Sequence, residues 1–343
     1  MALLRPEIEL LRQNGITRVA VPRLGDPSVI PLWFGEGDAV TADAIREAAK
    51  AALDEGKTFY GNPRGRPELR EAIQTYLRGI YALDVDLDRI TVPGSTMLGI
   101  TMAAQMALTT GSHGLIVGPA WPNIHSAFTI TGADISYVRQ QEIDGRWALD
   151  MPALLAEIRE NTRAIFVNTP CNPTGWVMTQ DEQSQLLEVC RERDVLIIAD
   201  EVYHRNVYDG EVAPSFLSIA EEDDPVISVS GFSKAWAMTG WRLGWMVTPR
   251  RYREQMAVLS ECFNTSATSF VQIAGVTALE KGEGVVAALR ENYRRGREAV
   301  METLGSDPRS HLLRPEGAFY AFPKVPGLRS SLNSAKACWL RRT

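Results

Sequence analysis

Apolar residues gather along the chain in short runs of strand length, at 89–92, 114–117, 135–138, 164–167, 195–199 and 226–229, each followed by turn residues. Most of these runs hold too few polar positions to alternate, which predicts strands buried on both faces. Between them, 97–108, 151–159 and 181–193 carry apolar residues at helical spacing, so the chain reads strand, helix, strand, helix. That alternation predicts an α/β domain whose largely parallel sheet is covered by helices. In such sheets ligands collect beyond the carboxyl ends of the strands, so the turns after the runs are where chemistry is to be sought. Residues 1–45, with Pro22, Pro27, Pro31 and the Gly35-Glu36-Gly37-Asp38 stretch, read as an extended arm. Near residue 285 a charged helix begins, with Arg290, Arg294, Arg295 and Arg297 on a solvated stretch, and a smaller second domain is expected there.

Composition narrows the function classes. A length of 343 residues suits about two domains. With 45% apolar and 23% charged residues, the chain falls outside the disordered, collagenous and coiled-coil classes. Thirty-six Lys and Arg against 42 Asp and Glu give a net charge of −6, the wrong sign for a phosphate-backbone binder, so no nucleic-acid partner is expected. No apolar run reaches membrane-spanning length and the N-terminus has no secretory leader, so a cytoplasmic location without a membrane partner is expected. Cys171, Cys190, Cys262 and Cys338 stand far apart and read as buried or incidental thiols, not as a disulfide framework or zinc site. Glu201 and His204 form a single pair without the second histidine of a zinc-protease helix, and no metal is expected. Neither a dinucleotide fingerprint, a phosphate loop nor a nucleophile elbow is present.

Four strand ends hold polar residues that make sense together. The run 195–199 delivers Asp200 and, three residues later, Tyr203; the run 226–229 leads through Ser230-Gly231-Phe232-Ser233 to Lys234. The run 164–167 leads to Asn172-Pro173-Thr174-Gly175, and Arg242 follows Lys234 by eight residues. Taken singly, these are a helix cap, a surface amine, a turn and an ion-pair arginine. Jointly they offer an amine, a carboxylate, hydrogen-bond donors and a cation. A cofactor with an aldehyde, a pyridine nitrogen, a phenolic oxygen and a phosphate needs those four, respectively.

On these residues, the stretch 32–323 resembles a class I/II aminotransferase, a pyridoxal-5′-phosphate enzyme of fold type I. Further motifs carry the resemblance: Phe34-Gly35-Glu36, Lys57-Thr58-Phe59-Tyr60 with Pro67-Glu68-Leu69-Arg70, Gly240-Trp241-Arg242-Leu243-Gly244, and Pro315-Glu316-Gly317-Ala318-Phe319-Tyr320. It implies an α/β fold with a large domain over 46–285, built on a mostly parallel seven-stranded sheet sandwiched by helices. An N-terminal arm with part of the small domain would occupy 1–45, and an incomplete smaller α/β domain 286–343. By resemblance Lys234 forms the Schiff base and shuttles protons, Asp200 holds the pyridine nitrogen protonated, and Tyr203 and Asn172 bond the phenolic oxygen. Trp121 stacks on the ring. Ser95 and Thr96, at a helix start, bind the phosphate with Arg242, and Ser230 or Ser233 adds a hydroxyl. Tyr60 reaches the phosphate of a neighbouring subunit, implying a homodimer, while Gly35 and Asn172 face the substrate.

The implied reaction moves the amino group of an L-amino acid to a 2-oxo acid by a ping-pong course. A pyridoxal-phosphate lyase acting at the β or γ carbon, or a catalytically impaired cofactor-binding relative, remain open readings. The second arises because the arginine with which relatives grip the substrate carboxylate near their C-terminus has no match here. Arg329, Arg341 and Arg342 do not fit its motif, and the chain reads as shorter than the family's.

Overall fold

The computed structural model describes residues 3–340, with side chains described through residue 335. Seven strands form the main sheet: β1 (Ile90–Gly94), β2 (His113–Gly118), β3 (Asp134–Arg139), β6 (Thr162–Asn168), β7 (Leu196–Asp200), β8 (Val226–Gly231) and β9 (Gly244–Val247). The remaining pair, β4 (Gln141–Ile143) and β5 (Arg146–Ala148), is a separate antiparallel hairpin. The spatial order of the main sheet is β1-β9-β8-β7-β6-β2-β3. Pairing is parallel throughout except along β9, which runs against both β1 and β8.

Successive residues of the central strands serve opposite faces, as the pleat requires. Ile116, Phe166, Ile198, Val229 and Met246 pack with the helix Thr96–Ala107 on one face. Leu115, Val117, Ile165, Ile197 and Ala199 pack against the helices Met151–Ala156 and Gln180–Arg193 on the other. A third cluster joins Ile90, Trp245 and Val247 to the helices Asp43–Asp54, Pro67–Tyr81 and Ser269–Lys281. Local chemistry sets the helix starts. Ser95 caps Thr96–Ala107 by accepting from the Leu98 N–H at 3.2 Å, and Thr179 with Glu182 closes a capping box on Gln180–Arg193.

The expected strands and helices match these elements to within a few residues, and the architecture is the mostly parallel, helix-covered sheet. Three expectations need correction. β3 lies at the sheet edge and only Val138 of its residues is buried, whereas β1 at the opposite edge is buried throughout. The segment 1–45 is not simply extended, since it holds the short helices Pro6–Leu10 and Gly15–Ala20. On the long helix Glu283–Thr303, Arg290 and Arg297 are not solvated: the Arg297 side chain is 11% exposed. Its guanidinium carbon stands 4.1 Å from the Tyr208 ring centroid while Nη1 donates to the Pro315 carbonyl at 3.2 Å, so the stem is covered although the charge is paired. Cys171 and Cys190 are buried as expected, whereas Cys262 is exposed. No described helix is long and apolar enough to cross a membrane. Arg341 and Arg342 lie outside the described residues.

Candidate active site

A cavity of about 260 Å³ opens at the carboxyl edge of β6, β7 and β8. Asp200 ends β7 directly beside Asn168, which ends β6, because the two are register partners. Lys234 lies just past β8 on the short helix Phe232–Ala235, so a strand end and one helical turn aim its amine back over the sheet. Tyr203 follows Asp200 in the turn beyond β7, and Asn172 sits in the loop beyond β6. All four side chains line the cavity, as do Thr96, Trp121, Ser233, Arg242 and Gly35.

Asp200 is 5% exposed and its carboxylate accepts one hydrogen bond among the described residues, from the Val202 N–H at 3.2 Å. Burial raises its carboxyl from the ordinary 3.8 to about 7, against the lowering influence of that bond and of Lys234. For Lys234, burial acts in the opposite direction, lowering the ammonium from 10.5 to about 8 although Asp200 and Glu36 favour the charged form. Its Nζ donates to the Gly35 carbonyl and stands 5.8 Å from the Tyr203 ring centroid. An amine at about 8 has a usable fraction of free base near neutrality, which nucleophilic and proton-transfer roles both need. The Tyr203 phenol is held well above its ordinary range, first by burial and then by the neighbouring Tyr320.

One end of the cavity has the chemistry of an anion site. Thr96 is the first residue of a helix whose free N–H groups and dipole favour negative charge. Ser233 and the exposed guanidinium of Arg242 stand there too, Arg242 in the left-handed region at φ 55° and donating to the Thr239 carbonyl at 2.6 Å. Such a backbone costs a non-glycine residue about 1–2 kcal/mol, a strain typical of functional positions. Close approach explains two glycines here. A Cβ on Gly231 would stand 2.6 Å from Thr96 Oγ1, and one on Gly244 would stand 2.7 Å from Thr96 N, so side chains there would push the helix start off the strand ends.

The structure does not bring every expected residue to the cavity. Ser95 caps the helix and does not line it. Ser230 turns away, its hydroxyl shared with the Glu201 carbonyl at 3.2 Å and His204 Nδ1 at 3.1 Å, which leaves Ser233 as the serine of the pair that faces the cavity. Tyr60, expected to serve a neighbouring subunit, is 87% exposed and outside the lining of its own chain's cavity. Among the cavity-lining residues given no role from the sequence, two bond directly to the expected site residues. Asn168 donates from Nδ2 to the Asp200 carbonyl at 2.9 Å and accepts from the Asn172 N–H at 2.6 Å. Tyr320 contacts the Tyr203 hydroxyl and accepts from Asn172 Nδ2 at 3.1 Å. The signal for Asn168 was its place at the end of an apolar run, four residues before Asn172.

Known proteins share this arrangement of chain. The family profile described as "Aminotransferase class I and II" matches residues 30–341. The aspartate aminotransferase of Pyrococcus horikoshii is 33% identical over 301 residues, which is 87% of this chain and 76% of that protein. Aromatic-amino-acid aminotransferase 2 of Thermococcus litoralis is 32% identical, covering 94% of this chain and 83% of its own length. Among solved structures, the aspartate aminotransferase from Thermus thermophilus with maleate superposes with a TM-score of 0.86 at 30% identity, over 94% of this chain and 85% of that one. Sheet, site placement and similarity over most of the chain agree: this protein belongs to the class I and II aminotransferases, pyridoxal-phosphate-dependent transferases of fold type I.

Proposed function

We propose that Lys234 holds pyridoxal phosphate covalently, that Asp200 faces its ring nitrogen, and that Tyr203 and Asn172 face its phenolic oxygen, with Trp121 against the ring. Thr96, Ser233 and Arg242 receive the phosphate. The observation that carries this reading is Asp200, a buried carboxylate with one backbone donor among the described residues and with Lys234 as the cation that influences it. Left so, its charge is expensive, and a protonated ring nitrogen is the partner it lacks. The anion end fits the other pole of the same molecule, because a helix start, a hydroxyl and a guanidinium converge where Gly231 and Gly244 keep the backbone close.

When bound, the cofactor supplies an electron sink for the pair left at the substrate's α carbon. Asp200 keeps that sink charged. Lys234 Nζ would take the proton from the substrate's α carbon and deliver it to the cofactor's aldehyde-derived carbon, a role its lowered basicity suits. Gly35 and Asn172 border the space for the substrate. The substrates we infer are L-amino acids and their 2-oxo acids, with the acidic and aromatic classes named for the relatives first in line. A homodimer is supported by Phe59 and Tyr60, adjacent aromatics 83% and 87% exposed, whose burial in a second copy would remove them from water. We also place the protein in the cytoplasm, in amino-acid metabolism.

The test is covalent. After reconstitution with pyridoxal phosphate and reduction with borohydride, peptide mass analysis should find the added cofactor on the Lys234 peptide. Lys234→Ala should stay colourless and lose activity by roughly 10³-fold or more, the scale of acid–base and nucleophilic roles combined. Label on another lysine, or a coloured Lys234→Ala protein, would overturn the assignment.

A further inference from the structure

We propose that Tyr320 is a positioning residue that fixes the direction of the Tyr203 hydrogen bond, turning the Tyr203 hydroxyl into a donor aimed into the cavity. This inference rests on the assignment of Tyr203 to the phenolic oxygen made above. It starts from a count of protons. The side-chain nitrogen of Asn172 can only donate, so the Tyr320 oxygen, 3.1 Å away, is its acceptor. A phenol has one proton to give. The Tyr320 oxygen is in hydrogen-bond contact with the Tyr203 oxygen, and Gly35 closes another side: a Cβ there would stand 1.9 Å from Tyr320 Oη. The Gly35 Cα–H groups accept nothing, and of the protein groups in contact with the Tyr320 hydroxyl the Tyr203 oxygen is the acceptor to which we assign its proton, the cavity that Tyr320 also lines being the other direction open to it. With that oxygen already receiving, the Tyr203 proton points onward, to whatever oxygen occupies the cavity.

The chain of donors therefore runs Asn172 to Tyr320 to Tyr203 to ligand. Its middle member is held firmly although its segment is irregular. The Gly317 N–H donates to the Gly175 carbonyl at 2.8 Å, the Ala318 N–H donates to the Asn206 carbonyl at 2.7 Å, and the Tyr208 hydroxyl donates to the Ala318 carbonyl at 2.7 Å. These bonds fasten the segment before Tyr320 to the loops that follow β6 and β7, the same loops that carry Asn172 and Tyr203. The titratable groups facing the two phenols are Asp200, Lys234, Cys171 and Tyr293. None of these four donates to the Tyr203 oxygen among the described residues, and the Asn172 amide, which donates to Tyr320, stands near the Tyr203 hydroxyl as well.

A donor on the cofactor's phenolic oxygen lowers the pH midpoint at which the bound chromophore titrates, and an unoriented donor does so less. The holoenzyme's visible spectrum, titrated with pH, reads this directly. Tyr203→Phe should raise the midpoint by about one unit or more, as loss of a hydrogen bond to a charged group implies, and Tyr320→Phe by about half a unit. Tyr320→Leu, which also removes the hydroxyl, should move it the same way. In the double variant Tyr203→Phe/Tyr320→Phe the midpoint should equal that of Tyr203→Phe alone, since Tyr320 acts through Tyr203. If Tyr203→Phe shifts the midpoint while both Tyr320 variants leave it at the wild-type value, the inference fails and the Tyr203 assignment stands. An unshifted Tyr203→Phe overturns the assignment itself. Additive shifts in the double variant would show Tyr320 touching the cofactor independently, and would also overturn the inference.

Discussion

The two halves of the cavity are built by different means. On one side, Asp200, Asn168 and Lys234 hang from strand ends whose register is fixed by parallel pairing, Asn168 opposite Asp200 and Asp200 opposite Val229. Phe34, Gly35, Glu36, Trp121 and Tyr320 form the other side from segments outside the sheet, and Phe34 is 37% exposed. Side-chain ties hold that second half: Lys234 to the Gly35 carbonyl, Thr239 Oγ1 to Glu36 Oε2 at 2.9 Å, and Tyr320 to Asn172. Ladder bonds fix positions cooperatively, whereas single side-chain bonds can break one at a time. Under the assignment proposed above, Asp200 and Lys234, which meet the cofactor, sit on the cooperative half, and Gly35, which borders the substrate space, sits on the looser half.

That division can be broken or sharpened by substitution. The largest effect should come from Asp200→Asn on the sheet side, with turnover falling roughly 10²–10³-fold by loss of a preplaced charge. Stability moves the other way. Between 3.8 and about 7 the folded, cofactor-free protein keeps a proton on Asp200 that the unfolded chain has released, so this group's contribution to stability falls as pH rises through that window. Asp200→Asn should flatten that slope and make the cofactor-free protein more resistant to urea above pH 7, which unfolding at pH 4.5 and 7.5 would check. Lys234 contributes with opposite sign: from about 8 to 10.5 the unfolded chain holds the extra proton, so stability rises with pH there.

On the looser side, Gly35→Ala places a methyl group where Tyr320 Oη now stands. Its KM should rise about tenfold, near 1.4 kcal/mol, with borohydride labelling of Lys234 unchanged. Equal loss of labelling would show that the halves act as one body. Smallest of all should be Thr239→Val, which removes one partly exposed bond to Glu36: less than about twofold in kcat/KM and under about 1 kcal/mol in stability.

The same division governs what could be read without coordinates. Runs such as 195–199 and 226–229 are continuous apolar stretches because both faces of β7 and β8 are covered, and such runs announce their own ends, where Asp200 and Lys234 stand. β9 gave no such signal, because its four residues merge with the Gly-Trp-Arg-Leu-Gly stretch that drew attention for Arg242. Burial of β3 was overestimated since the period of a run says nothing about what covers the strand's two faces. Ser230 and Ser233 look equivalent in sequence, but strand alternation points the first at His204 while the helical turn points the second at the cavity. Tyr320 was unreadable as a site residue, because its approach to Tyr203 depends on how the segment around Gly317 is fastened to Gly175 and Asn206.

The reversal of β9 has a consequence for how the site can be inherited. Since Gly231 of β8 pairs with Gly244 of β9, the chain between them turns at one rim and comes straight back, with no crossover to the opposite rim. The stretch 232–243 is therefore a single cassette that bears both the amine and the guanidinium. Lengthening it by one residue would misplace both together, and transplanting it between related scaffolds would move both together.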